Sequence, residues 1–515
     1  MENRKKEITL LLVVSALIRC FLASWIELGN DEVYYWTYAL FPDWSHFDHP
    51  GMVGWVIQLF TLNLRLDSAF FLRLASVVFM TLNTWIVFRI GKELKDETTG
   101  LHAALLFTGS LYAFVITGIF ILPDTPQSLC WMFSFWMLIR YLKRPSHASL
   151  LLAGLGIGLC ILSKYTGAFL WVGFGLYLLL FDRKQLKNPY LYLAIAITAV
   201  CCLPILYWNM ENGFVSFRFH GNRVSLFGTP HLETFGAELL GDFIYNNPVN
   251  VVLAIIAVVA LFRKRLPMPQ AVGRLTLLTA LPMIGLFLLF SLTRHTLPHW
   301  SAPAFSLLIF PAAVWLGTAK TTIARRWLTA SIAVLILALT IGCLEIKTGF
   351  IPLDRHTDPT EIGKDDFTLD LYGWEQLGEK FAQFREEKIA EGMMAEDDAI
   401  IGHNWFPMAS IDYYVARPLG MKVLGYGPLD MIHKYLWINE ARGGFELGAD
   451  YWYLDDSRFF IDPEKAYAYT NFKSVSLIGV IPIERQGKTV RNIFVYKCKS
   501  LVYGPPTLEE LRIEN

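Results

Sequence analysis

Long apolar runs separated by short polar connections fill the first two thirds of the chain. A helix needs about 20 mostly apolar residues to cross the hydrocarbon core of a bilayer. The pattern therefore predicts a polytopic α-helical membrane protein with about 11 transmembrane helices. The predicted spans are residues 7–26, 70–90, 101–120, 126–142, 149–163, 165–181, 190–208, 249–262, 275–292, 300–318 and 327–346.

After residue 346 the pattern changes to charged segments and short alternating runs. Residues 355–388 are charged and carry apolar positions at helical spacing, whereas DDAIIGHN, DYWYLDDS, VSLIGVIPIE and RNIFVYKC are typical of β-strands. We therefore predict a membrane module over residues 1–346 and a soluble α/β domain over residues 347–515. Residues 27–69 and 209–247 are predicted to be the two sizeable external loops of the membrane module.

The basic residues predict which side of the membrane each connection occupies. Lys and Arg concentrate in cytoplasmic connections, and alternate connections hold 19 of them on one side against 5 on the other. This bias requires that residues 50–66, which are also apolar, form an interfacial helix rather than a twelfth span. We expect a multi-pass protein of the bacterial inner membrane, with a cytoplasmic N-terminus and a periplasmic C-terminal domain.

Composition supports this class and excludes several others. The chain has 54% hydrophobic and 17% charged residues, a mean hydropathy of +0.40 and no net charge, whereas soluble domains carry about 25% charged residues. The seven cysteines show no C-x-x-C pair or metal-ligand spacing. No P-loop or dinucleotide-binding fingerprint is present, so we expect neither an ATP-driven pump nor a nucleic-acid partner.

Titratable residues cluster just after the first apolar run. Asp31 and Glu32 precede the apolar stretch VYYW, and HFDHPG adds His46, Asp48 and His49. Asn30 or Asp31 could simply cap a following helix. A cap does not explain the second group, and ionisable side chains beside a bilayer are functional candidates because their burial is costly.

Two further positions carry candidate chemistry at predicted outer ends of spans. Asp124 lies between two prolines in ILPDTPQSL, where it is either a helix cap or a second functional carboxylate. Lys164 lies in the hairpin LSKYTG, where it either reaches water or neutralises a phosphate. The segment SLTRHTLPHWSAP gives a third cluster that favours an anionic partner over simple loop solvation; its members are Arg294, His295, His299 and Trp300.

Six motifs in this order resemble bacterial members of glycosyltransferase family 39, which is related to the protein O-mannosyltransferases and the lipid A aminoarabinose transferases. The motifs are NDEVYYW, HFDHPGMVGW, ILPDTPQSL, GLCILSKYTG, PILYWNMENGFVSFRFH and LPHWSAP. The resemblance implies the C-type glycosyltransferase fold with interfacial helices. It also implies sugar transfer, with inversion, from a polyprenyl-phosphate donor to an acceptor hydroxyl on the periplasmic face, for cell-envelope glycan, lipid A or protein glycosylation. Membrane lipids surround the enzyme, and the acceptor is a glycan, a lipid or a protein.

The resemblance also assigns roles to individual residues. It places the catalytic carboxylate on Asp31, beside Glu32, and the second family acid on Asp124. The aminoarabinose branch has EKPP where this chain has DHPG, so His49 stands where a lysine contacts the donor phosphate. We expect Lys164 to help bind that phosphate.

Transfer of a sugar from a lipid phosphate needs a base and a cation at the leaving phosphate. We therefore expect Asp31, Asp124 and Lys164 to meet in one pocket. No cofactor is required, although a divalent metal with Asp31 and Asp124 as ligands is compatible with the pattern. The alternative is a transporter or flippase of lipid-linked sugars, which predicts ionisable residues at mid-membrane rather than at span ends.

Overall fold

The structure, a computed structural model, describes residues 2–223, 229–461 and 469–505. Helices fill the described part of the first 348 residues. In chain order they are α1 (Glu2–Trp25), α2 (Asn30–Leu40), α3 (Met52–Phe60), α4 (Ala69–Leu94), α5 (Glu97–Gly109), α6 (Asp124–Lys143), α7 (His147–Ser163), α8 (Phe169–Phe181), α9 (Pro189–Glu211), α10 (Val215–Arg223), α11 (Leu232–Tyr245), α12 (Pro248–Phe262), α13 (Gln270–Ser291), α14 (Ala302–Leu316) and α15 (Thr321–Thr348).

Every predicted span overlaps one of these helices, which confirms the polytopic helical class. By length and hydropathy, α1, α4, α9, α13 and α15 qualify as membrane spans among the described residues. The pair α11–α12, bent by 95°, is a sixth candidate. The other predicted spans lie on helices that are shorter or less apolar, so the number of crossings stays a prediction.

Three segments have a structure that differs from what hydropathy alone predicts. The predicted span 101–120 ends as a helix at Gly109 and continues as a π-helical turn, Tyr112–Ile116. The apolar run 50–66 forms only the nine-residue α3, which is about 14 Å long and too short to span a bilayer. The predicted loop 209–247 contains α10 and α11, and its residues 224–228 lie outside the described part of the chain.

Local sequence explains where several helices begin. Asn188 and Asn247 each accept a backbone N–H two residues ahead, and each is followed by a proline in the first helical turn. This arrangement satisfies one unpaired donor and preorganises the backbone. Asp96 caps α5 in the same way, through the N–H of Thr99.

The chain divides into two compact units. The helical unit comprises Met1–Ser24 and Pro42–Leu339, and the sheet unit comprises Trp25–Phe41 and Thr340–Asn515. Close helix packing in the helical unit relies on small residues: Gly154 of α7 leaves no room for a Cβ against the carbonyl of Ala194 in α9. Small residues allow such close approach of helix backbones in membrane proteins.

The sheet unit contains a five-stranded mixed sheet in the order β2-β1-β3-β5-β4. Strand β1 pairs in parallel with β2 and β3, whereas β5 is antiparallel to β3 and β4. The four predicted strands are confirmed, the helix predicted within residues 355–388 begins only at Trp374, and β2, only three residues long, was not predicted. The elements are α16 (Trp374–Ala390), β1 (Ala399–Gly402), α17 (Trp405–Ile411), α18 (Arg417–Leu419), β2 (Val423–Gly425), α19 (Leu429–Ile432), α20 (Tyr435–Ala441), β3 (Tyr451–Asp456), β4 (Phe472–Arg485) and β5 (Lys488–Leu501).

Candidate active site

A buried ion pair joins two of the predicted site residues in the helical unit. The ammonium of Lys164 donates to Oδ2 of Asp124 at 2.7 Å, and the two side chains are only 8% and 3% exposed. Asp124 is the first residue of α6, whereas Lys164 directly follows α7. The two candidates, separated by 40 residues in sequence, therefore belong to one site.

The backbone around each partner explains how the pair is positioned. The π-helical turn presents the buried Tyr112, whose hydroxyl donates to Oδ1 of Asp124 at 3.4 Å. Isolated π-helical turns are frequent at functional sites. After Lys164 the chain enters a short 3-10 helix, in which Gly167 lies against the backbone of Cys160 too closely for a side chain. Tyr112 was not predicted from the sequence.

The first predicted external loop lies close to this pair. A bridge between Ser45 and Pro50 closes the loop that carries His46, Asp48 and His49. In α10, His220 Nε2 contacts the backbone carbonyl of Asp48 at 2.7 Å. A carbonyl accepts only, so this nitrogen is the donor.

Helix α10 also meets the hairpin that carries the lysine. The ring of His220 lies 5.0 Å from that of Tyr165, and the hydroxyls of Tyr165 and Ser216 are 3.2 Å apart. The helical unit thus brings the loop 45–50, α10 and the hairpin at Lys164 to one place.

Two histidines of this cluster are neutral at physiological pH. Burial lowers the pKa of His49 to about 3, with nearby Lys164 and His220 acting in the same direction and Asp48 opposing them. Burial also lowers the pKa of His299 to about 4, again with Lys164 contributing. Neutral imidazoles still exchange hydrogen bonds, but they supply no positive charge. Lys164 is therefore the cation of this cluster.

The predicted acids Asp31 and Glu32 lie in the sheet unit, on the first turn of α2. The carboxylate of Glu32 accepts the backbone N–H of Gly29 at 2.9 Å, so Glu32 stabilises the start of the helix. The N-cap position belongs to Gly29 rather than to Asn30 or Asp31. The proximity of Asp31 to the Lys164–Asp124 pair stays a prediction.

Residues that the sequence did not single out hold α2 in the sheet unit. The carboxylate of Glu27 accepts the backbone N–H groups of Gly373 and Trp374 at the start of α16. At the other end of α2, the buried ammonium of Lys434 donates to the carbonyls of Thr37 and Phe41. Both contacts place a charge where it complements a helix terminus.

The third predicted cluster is divided by the structure. His299 contributes to the electrostatics of Asp124, whereas Arg294 and His295 are exposed. Trp300 lies 6.0 Å from the ring of Phe287 and packs against the apolar core of the helices. The buried His46 donates its backbone N–H to the carbonyl of His49 and so helps to shape the loop.

Comparisons with known proteins agree with the sequence motifs. Residues 48–208 match the family model described as dolichyl-phosphate-mannose-protein mannosyltransferase. The crystal structure of ArnT from Cupriavidus metallidurans, bound to undecaprenyl phosphate, superposes with a TM-score of 0.64 at 14% identity. The match covers 95% of this chain and 97% of that one. This chain has the C-type glycosyltransferase fold.

Two curated relatives from Rhizobium johnstonii match shorter parts of the chain. The lipid A galacturonosyltransferase RgtD is 25% identical over 226 residues, which cover 42% of this chain and 47% of the relative. The lipopolysaccharide core galacturonosyltransferase RgtB is 34% identical over 129 residues, which cover 22% of this chain and 26% of the relative. The matched regions cover less than half the length of either relative. Together with the family model and the ArnT structure, these relatives confirm the predicted resemblance to family 39.

Within the C-type fold, two further acids escaped the sequence analysis. Glu238 and Asp242, one turn apart on α11, are buried, and they accept hydrogen bonds from the hydroxyls of Thr296 and Ser301. They therefore tie α11 to the loop that carries His299. Their spacing of four residues on an apolar helix was the available signal, but the region had been predicted to be a loop.

The contacts of Asp124 bear on the divalent metal that the sequence pattern allows. The predicted metal ligand Asp124 is bound to a lysine ammonium, an arrangement that suits an ion pair and opposes a cation at the same oxygen. Within the described residues, three metal-ligating side chains lie together elsewhere: Asp354, His356 and Asp365 of the sheet unit have ligand atoms within 4.8 Å of one another. The predicted metal role of Asp31 stays a prediction.

Proposed function

We propose that the protein is a periplasm-facing membrane glycosyltransferase that moves a sugar from a polyprenyl-phosphate donor to a hydroxyl of lipid A or of the lipopolysaccharide core. The observation that carries this proposal is the buried Lys164–Asp124 pair beside the loop 45–50. The C-type fold supports it, because the ArnT structure contains undecaprenyl phosphate. The names of RgtD and RgtB support the acceptor class and make galacturonic acid the first sugar to test.

Lys164 is proposed to bind the donor phosphate. An ammonium has three N–H donors, so the bond to Asp124 leaves donors for phosphate oxygens. A positive charge fixed in a buried site stabilises the negative charge that develops on a leaving phosphate. Asp124 and Tyr112 act as positioning residues, since Asp124 accepts from the ammonium and Tyr112 in turn donates to Asp124. Neutral His49 and His299 are proposed to hydrogen-bond the phosphate or the sugar, as are Asp48 and the exposed Arg294 and His295.

Asp31 is proposed to be the general base. It takes the proton of the acceptor hydroxyl while the hydroxyl oxygen forms a bond to the anomeric carbon. The bond between that carbon and the phosphate oxygen breaks at the same time, and polyprenyl phosphate leaves with the bonding pair. This is an inverting displacement, and a positioned base typically contributes 10²- to 10⁴-fold to its rate.

A reconstituted transfer assay tests the proposal. The purified chain in lipid nanodiscs is incubated with polyprenyl-phosphate galacturonic acid and lipid A, and mass spectrometry follows the glycosylated product. We expect product from the wild type and a loss of about 100-fold or more with Asp31→Asn. Lys164→Met should also abolish transfer, whereas the exposed Lys184→Met should retain it.

The double variant Lys164→Met/Asp124→Asn separates catalysis from folding, because it leaves no buried charge without a counter-charge. We expect this variant to fold and to remain inactive. Full transfer by the folded double variant would remove Lys164 from the mechanism. Wild-type protein that consumes none of a panel of polyprenyl-phosphate sugars would overturn the proposed function. Transport of a lipid-linked sugar without product formation would favour the transporter alternative.

A further inference from the structure

A long groove lies in the helical unit, and its lining includes none of the candidate active-site residues. It has a volume of about 940 Å³, near the upper end of the roughly 300–1,000 Å³ range of ligand sites. Its walls come from α1, α5 and α15 and from the end of α14. All of the residues that line the groove belong to the helical unit.

The groove is polar at one end and apolar along the rest. Arg4, Glu7, Thr98, Thr321 and Arg325 line the polar end, which includes the beginnings of α1, α5 and α15. Towards the other end the lining is aliphatic, with residues such as Leu10, Val14, Leu105, Leu328, Ala333 and Ile336. An occupant that matches both ends is an amphiphile.

The charges of the polar end favour an anionic head group. Glu7, the acid of the lining, forms an ion pair with Arg4 at 2.6 Å. The exposed guanidinium of Arg325 adds a second positive charge, so that the polar end keeps a net positive charge after Glu7 is counted, and Thr98 and Thr321 add hydroxyl donors. A phosphodiester fits this combination, because guanidinium groups bind phosphate oxygens through paired N–H donors.

The apolar part has the length of one lipid tail. From Arg325 to Ile336, α15 rises by about 17 Å, which is close to half of a hydrocarbon core about 30 Å thick. In the most apolar stretch of α15 only 11% of the residues are buried, and in that of α1 28% are buried. Leu10 and Ile336, which line the groove, are 64% and 58% exposed.

We infer that this groove is a binding site for an anionic phospholipid. The phosphodiester lies between Arg4 and Arg325, and an acyl chain lies along α1 and α15 towards Ile336. This site is independent of the proposed sugar transfer. The groove binds a lipid from the surrounding bilayer, and the bound lipid connects the beginnings of α1, α5 and α15.

Lipid binding to the detergent-purified full-length chain tests the inference. Native mass spectrometry measures the affinity for phosphatidylglycerol, phosphatidylcholine and undecaprenyl phosphate. We expect tighter binding of phosphatidylglycerol than of the other two. Arg325→Gln should weaken binding of phosphatidylglycerol by about fivefold, as should Arg4→Gln, since each basic residue near a lipid surface contributes by that factor.

Two matched variants keep the test specific. Arg326→Gln removes the same charge one residue outside the lining and should leave binding unchanged. Ala333→Phe, at an exposed lining position, should narrow the groove and reduce binding of phosphatidylglycerol without unfolding the chain. Equal affinity for phosphatidylglycerol and phosphatidylcholine, or a preference for undecaprenyl phosphate, would overturn the inference. Equal effects of Arg325→Gln and Arg326→Gln on binding would also overturn it. So would a variant Ala333→Phe that binds phosphatidylglycerol as well as the wild type does.

Discussion

The carboxylate of Glu27 accepts the backbone N–H of Trp374 at 2.7 Å. This bond joins the segment before α2 to the first turn of α16, although the two residues are 347 positions apart. Both residues are buried. The segment that carries Asp31 is therefore supported by the last third of the chain.

We expect Glu27→Gln to loosen this support. The substitution keeps the shape of the side chain but removes its charge, and hydrogen bonds to charged groups are about 1 kcal/mol stronger than neutral ones. Hydrogen exchange of residues 25–41 should become faster by roughly five- to tenfold. Glu375→Gln, at the exposed position next to Trp374, is the control. Equal exchange rates in the two variants would contradict the supporting role.

The Lys164–Asp124 pair should dominate the stability of the candidate active site. Removing one partner of a buried ion pair typically costs about 3–5 kcal/mol, because the other charge stays buried without compensation. We therefore expect Asp124→Asn to lower the thermal midpoint in detergent markedly, and the double variant with Lys164→Met to recover most of the loss. A double variant no more stable than Asp124→Asn would show that the charges are not coupled.

Asp455 should make the sheet unit less stable as pH rises. Burial raises the pKa of this carboxyl from 3.8 to about 8, and neighbouring Asp456 acts in the same direction. The folded state binds the proton more tightly than the unfolded state, so this contribution is complete below about pH 4 and is lost as pH rises through about 8. Asp455→Asn imitates the protonated form and should raise the thermal midpoint most above pH 8.

The exposed Asp397→Asn variant is the control for Asp455 and should follow the wild-type curve at every pH. If the midpoints of wild type and Asp455→Asn differ by the same amount at pH 4 and pH 9, titration of Asp455 is not the cause.

His49 should act without a charge. Its pKa of about 3 keeps the imidazole neutral between pH 5 and pH 8, so His49→Gln should change the rate of sugar transfer by a similar factor throughout that range. The measurement is kcat/KM against pH for the wild type, for His49→Gln and for the exposed control His147→Gln. A step near pH 6 that disappears only in His49→Gln would show that the protonated imidazole takes part.

Helices were predictable where hydropathy alone determines them. Every predicted span overlaps a helix, and the run 50–66, which the count of basic residues excluded as a span, forms only the short α3. The break after Gly109 was not visible, because the residues of the π-helical turn are as apolar as those of α5. Helix α11 was missed since its buried acids lower its hydropathy, and β2 was missed because it has only three residues.

The candidate site was predictable residue by residue but not as a set of contacts. Asp124 was identified as an acid between two prolines and Lys164 as a cation in a predicted external hairpin, yet their pairing depends on how α6 and α7 pack. The aromatic packing of the sheet unit was likewise not predictable: Trp405 packs on Tyr34 at 5.0 Å and Tyr413 packs on Trp36 at 5.2 Å, so these rings form part of the surface on which α2 packs.

The support of α2 by α16 and Lys434 sets an order of events during biosynthesis. Residues 25–41 leave the ribosome early, whereas their partners around Trp374 and Lys434 follow more than 300 residues later. At translation rates of about 5–20 residues per second, that delay lasts tens of seconds. During this interval α2 lacks the contacts to Trp374 and Lys434 that hold it in the folded protein, so its final packing is completed only after the last third of the chain has been made.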